Sequence, residues 1–277
     1  MIQFNPLVLL LTAMSMVCYS VSIIAGTITV KRAIVSSNPR NVIVSNSRWF
    51  HGVMLLTLIF HSLVICVQII FGEYYIFDFA LSLNYTMLGM SWLWLVVSFL
   101  IPIPQIALLL IPLNMLIIVV PFILVDIPHS LQFTPFLIFH ITSALFAISF
   151  LLFATCMSFV LSYIDHSIRS STITNPRREF GFPSFEQIHQ LVFGLLVISF
   201  VFLTITIAIG LLEGVTRLST FTLSQKIFFT IISWFIIAVV VLVRWKKAIP
   251  PKALWKWCAV ASGSSLLGFL GSKVISI

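Results

Sequence analysis

Charge is what this sequence has least of. Asp, Glu, Lys and Arg together make up 8% of its 277 residues, against about 25% in a water-soluble domain. That shortage excludes a soluble globular protein. The 60% hydrophobic content excludes a disordered one, which combines low hydrophobicity with high net charge. Acidic residues are the scarcer kind, 7 against 15 basic, and no paired carboxylates occur. The four cysteines, Cys18, Cys66, Cys156 and Cys258, fall in four different apolar stretches without CxxC spacing. They offer neither a zinc site nor a dithiol pair and read as small apolar residues. A nucleophilic-serine motif, a P-loop and HExxH are all missing, so the chain is not expected to be an enzyme of conventional type.

What the sequence does have is long apolar runs, and its mean hydropathy is +1.17. Crossing a bilayer takes roughly 20 apolar helical residues, and eight stretches qualify: 7–29, 51–71, 82–101, 105–125, 133–163, 189–211, 226–244 and 254–275. In lipid every backbone polar group must be satisfied internally. The runs do not alternate as the strands of a membrane barrel do. The expectation is therefore an all-α polytopic bundle of eight spans, one integral membrane domain over residues 1–277, facing membrane lipid. The longest polar connection, 164–188, is well short of the roughly 50 residues of an independent domain. In it, Ser184 and Gln187 have capping-box spacing ahead of the sixth span. The first span has no basic residue before it and exceeds a signal-peptide core in length, so it reads as a retained span.

Twelve of the fifteen basic residues fall in the connections 30–50, 164–188 and 244–256, which eight spans place on one side. The positive-inside rule then puts both termini outside, as in a bacterial inner-membrane protein. The net charge of +8 follows from this topology, and no basic module of the kind that binds nucleic acid is present.

Ionisable groups inside lipid are functional-site candidates by default. No Asp, Glu, Lys or Arg occupies the middle of a span, which argues against ion-coupled transport and anion channels. Histidine is the exception. His61 lies about ten residues into the second span and His140 about seven into the fifth. At 1.5 Å per residue their depths differ by about 5 Å. A neutral imidazole is readily buried and is a ligand for haem iron; the other reading is a histidine hydrogen-bonded to a neighbouring helix. His51, His166 and His189 sit at the inner ends of spans, and His129 lies in the outer connection 126–132. Pro112, Asn114 and Pro121 mark the fourth span as kinked, with Asn114 placed to bond a freed carbonyl.

Three stretches resemble the CcsA-type cytochrome c assembly family, in its short eight-span YpjD-like branch. They are Phe139 to Ala147, Ile198 to Gly210, and Lys226 to Trp234 with Arg244-Trp245 and Gly271 to Lys273. Leu83-Asn84 and Ser91-Trp92 add a further echo. The similarity covers roughly residues 80–277. It implies a haem-handling inner-membrane protein, accessory to cytochrome c assembly or regulating haem biosynthesis, with partners among the proteins of those processes. It further implies His140, and His61 after it, as haem-iron ligands, with Arg217 and Lys226 near the propionates. The chain departs from the full-length pattern: the connection 212–225 has no Trp, Val243 stands before Arg244 where a histidine is expected, and none follows Gly271. A synthase activity is therefore not implied. Two other readings stand beside this one. A transporter or metal-efflux component would depend on Gln68, Asn84 and Asn114. A non-catalytic scaffold would depend on Arg177 and Arg178.

Overall fold

A computed structural model describes residues 6–35, 39–71, 79–101, 103–123, 135–170, 183–214, 220–247 and 249–274. Among these the regular structure is entirely helical: α1 (Pro6–Val35), α2 (Pro39–Phe71), α3 (Phe79–Leu100), α4 (Pro104–Ile117), the short α5 (Val120–Ile123), α6 (Pro135–Arg169), α7 (Phe185–Gly214), α8 (Thr220–Lys246) and α9 (Pro251–Val274). Five of them open on proline. That placement leaves no helical donor wasted, because the first N–H groups of a helix have no internal acceptor. Ser184 directly precedes α7 and Gln187 is its third residue, as a capping box requires.

Among the described residues, seven helical stretches are long and apolar enough to cross a membrane, α4 and α5 counting as one. The stretch expected as an eighth span is helical, as α9, but falls short of that apolarity among the described residues. Lys252, Lys256 and the run Ser262-Gly263-Ser264-Ser265 lower it. The fourth expected span is broken. Val119 donates to Leu116 O and Phe122 to Val119 O, three-residue steps that interrupt the helix between α4 and α5 just ahead of Pro121.

The sequence reads as one membrane domain; its residues form two compact units, α1–α5 and α6–α9. Each is a closed ring of four long helices. In the first, α1 packs on α2 and α4, and α3 on α2 and α4. In the second, α6 packs on α7 and α9, and α8 on α7 and α9. Lipid supplies no hydrophobic drive for these contacts, so they rest on close packing and interhelical hydrogen bonds. On α1 the buried positions Val8, Thr12, Ser15, Tyr19, Ser22, Gly26 and Thr29 recur every three or four residues, a seam of mostly small or polar side chains. A Cβ on Gly26 would lie 2.8 Å from Leu108 Cδ2 and 3.1 Å from Phe50 Cε2, so only glycine admits α2 and α4 this closely.

The two units repeat each other in detail. In the first, Trp92 of α3 donates to Ser62 Oγ of α2 at 3.2 Å, while Asn114 of α4 donates to Ser91 Oγ at 2.7 Å. In the second, Trp234 of α8 donates to Thr204 Oγ1 of α7 at 2.8 Å, while Ser233 donates to Ala261 O of α9 at 2.9 Å. The shift is 142 residues for Ser62, Ser91 and Trp92, and 147 for Asn114 and for the leading prolines Pro104 and Pro251. A Ser-Trp pair on the third helix, tied to the second and fourth, is thus built twice.

Candidate functional site

His61 is fully buried and sits in a hydrogen-bonded chain that links all four helices of the first unit. The chain starts at the break in the fourth helix. Pro121 has no N–H, so the carbonyl of Ile117 loses its helical donor. Asn84 Nδ2 of α3 takes that carbonyl at 3.0 Å and also approaches Ala80 O at 3.4 Å. With its nitrogen donating, the Asn84 amide presents Oδ1 to His61 Nε2 at 3.1 Å. Nε2 therefore carries the imidazole proton and Nδ1 is the acceptor. Tyr19 Oη of α1 donates to Nδ1 at 2.8 Å, and the two rings meet edge to face at 5.9 Å.

This arrangement assigns His61 a role that the sequence left open. Both ring nitrogens are engaged, and the ring is enclosed between Tyr19 and Asn84. As placed, His61 has both ring nitrogens committed to neighbours inside the bundle. The carbonyl freed by proline is bonded by Asn84, whereas Asn114, expected to do this, bonds Leu110 O at 2.8 Å and Ser91. Asn114 Oδ1 is buried with no hydrogen-bond partner among the described residues. Tyr19 was not singled out by sequence. Its signal was the buried seam on α1, hidden because every neighbouring residue is also apolar.

His140 lies in the second unit, near the start of α6, and is half-buried. Its ring packs against the backbone of α7: a Cβ on Gly210 would come within 2.9 Å of His140 Cε1 and 3.4 Å of Nδ1. One turn further on, Ser143 Oγ donates to His140 O at 2.8 Å and pairs with Thr206 Oγ1 at 2.8 Å. The glycine makes the cradle, and the Ser143–Thr206 pair fixes its register. Phe136 and Phe139 beside it are exposed on α6, as are Leu211 and Leu212 on α7. The setting is a half-buried imidazole, its Nδ1 enclosed, beside an apolar, partly aromatic surface.

The remaining expected residues divide. His51 Nε2 pairs with Ser98 Oγ at 2.7 Å and stacks on Phe99. Arg244 Nη2 approaches His189 Nδ1 at 3.3 Å. Each of these histidines ties its helix to a neighbouring one, α2 to α3 and α7 to α8. His129, Arg177, Arg178 and Arg217 lie outside the described residues, and of Lys226 only the backbone is described. No cluster of three or more His, Cys, Asp or Glu suited to a metal ion occurs among the described residues. Compared with known protein families, with curated proteins and with solved structures, the chain matches none.

Proposed function

We propose that this multi-pass membrane protein handles haem, with His140 as the iron-facing residue and His61 as an internal tie. The observation that carries the reading is the cradle at Gly210, which seats a half-buried imidazole beside an apolar, partly aromatic surface. Haem, if bound, would supply an iron that takes a neutral imidazole nitrogen, and His140 would be the residue to hold it. The chain's own part is to orient that imidazole, through Gly210 and Ser143, and to offer an apolar face to the porphyrin. In the eight-span arrangement with both termini outside, His140 lies towards the outer face, where a cytochrome c would be assembled. On this reading the protein is an accessory of cytochrome c assembly or a regulator of haem synthesis in a bacterial inner membrane, and not itself an enzyme.

The test is haem titration into the purified chain in mild detergent, followed by absorption in both oxidation states. A saturable Soret shift with sharp reduced α and β bands supports the reading. A spectrum identical to haem in detergent micelles alone removes it.

One observation favours a second reading, a transporter. Broken helices whose polar groups face the interior are a feature of substrate sites in transporters, and α4–α5 has such a break with the buried Asn114 Oδ1 beside it. Flux into proteoliposomes that is lost in Asn114→Ala, with no haem bound, would put this reading first.

A further inference from the structure

The α8–α9 turn concentrates cations. Within it, Arg244, Lys246, Lys247, Lys252 and Lys256 fall in thirteen consecutive residues, and no acidic residue occurs anywhere after Glu213. Lys246, Lys247, Lys252 and Lys256 are all exposed. Lys252 and Lys256 stand one turn apart on the same face of α9. The unit's ion pair among the described residues is elsewhere: Arg169 bonds Asp165 at 3.0 Å. Glu186, at the start of α7, is engaged by Gln190 at 2.9 Å.

Arg244 adds a second observation. Its guanidinium is half-buried, with Nη2 on the ring nitrogen of His189 and its carbon 5.9 Å from the centre of the Phe193 ring. Its Nε is buried with no hydrogen-bond partner. Its nearest partners, a histidine and a phenylalanine ring, leave most of its donors free for an anion at this helix end.

Two indoles define the depth. Trp245 is 74% exposed and Trp257 49% exposed, on either side of the lysines, and tryptophan of this kind belongs at the headgroup level of a bilayer. The geometry points to a binding patch for anionic phospholipid headgroups, in which the lysines and Arg244 meet phosphate while Trp245 and Trp257 rest among the glycerol and upper acyl groups. An acidic protein segment would explain the charge but not the exposed indoles flanking it.

The experiment uses the full chain reconstituted in nanodiscs of phosphatidylcholine with a minor share of phosphatidylglycerol. The phosphatidylglycerol retained on extraction into detergent is counted by native mass spectrometry. Wild type is expected to retain it in excess over its share of the bilayer, less so at high salt. Replacing Lys246, Lys247, Lys252 and Lys256 by Gln is expected to lower that excess roughly tenfold or more, given the attraction each surface cation contributes. If the fourfold variant does not fold, the pair Lys252→Gln and Lys256→Gln, on an exposed helix face, is expected to give a smaller loss in the same direction. Inorganic phosphate added at matched concentration should not displace the lipid; if it does, the site is one for free phosphate and the lipid assignment is overturned. Equal retention by wild type and both variants overturns it too. No excess in wild type does the same, and leaves an acidic protein as the partner to seek.

Discussion

The two halves of this molecule share a plan and differ at their fourth helix. In α6–α9 the fourth helix is continuous, and its neighbours reach its backbone with hydroxyls: Ser233 to Ala261 O, and Thr155 to Cys258 O at 3.2 Å with Ser262 Oγ at 2.6 Å. In α1–α5 the fourth helix carries Pro112 and Pro121 and is interrupted. There the neighbours supply an amide, an imidazole and a phenol in series. The position that holds His61 in the first half is Leu203 in the second by the 142-residue shift. A buried histidine here accompanies a broken helix, and the intact helix of the other half has no need of one. The lesson is that a polar residue in a span reports a defect in the backbone beside it at least as readily as it reports a ligand.

The comparison can be broken most forcefully at His61. His61→Leu installs the residue of the second half and strands Tyr19 Oη and Asn84 Oδ1 within the bundle. Each stranded buried group costs about 1–3 kcal/mol, so a loss of about 2 kcal/mol or more is expected in reversible unfolding in detergent and lipid mixtures. Gly210→Val tests the corresponding cradle in the second half. It drives a side chain into His140, with an expected loss of about 1–3 kcal/mol from overpacking, and it displaces the imidazole, so haem absorbance should fall with it. A milder test couples the break to its tie. Pro121→Ala returns an N–H to Ile117 O, so the penalty of Asn84→Ala should shrink by about 1 kcal/mol in that background; a double-mutant cycle measures the coupling. The smallest effects belong to the shared feature. Trp92→Phe and Trp234→Phe each remove one indole bond, worth about 0.6 kcal/mol on average in such bundles. Equal losses in thermal unfolding sharpen the repeat, and strongly unequal ones break it.

The helical class and most span limits were legible because a bilayer imposes length and apolarity on any segment that crosses it. The break at Pro121 was legible for the same reason, since proline always removes a donor. The side chain that mends it was not. Asn114 lies on the same helix and looks like the natural partner, but helix rotation decides which amide faces the freed carbonyl, and that is fixed by packing with α3. The repeat was hidden for a related reason. Its two Ser-Trp pairs are short, the intervening apolar residues are interchangeable, and the fourth helices share little beyond a leading proline and their register. His140 and His61 looked alike in sequence, each a lone imidazole in a span. They separate only through what surrounds them: Tyr19 and Asn84 close over His61, while Gly210 holds His140 at an apolar surface.

That separation is where the account is most exposed. The direct measurement is haem binding by absorption titration of His140→Ala beside His61→Asn, each checked for retained helicity. The account predicts that His140→Ala abolishes the saturable Soret shift while His61→Asn keeps it, in a protein that unfolds at lower temperature. Loss of the shift in His61→Asn, with His140→Ala binding normally, would contradict it.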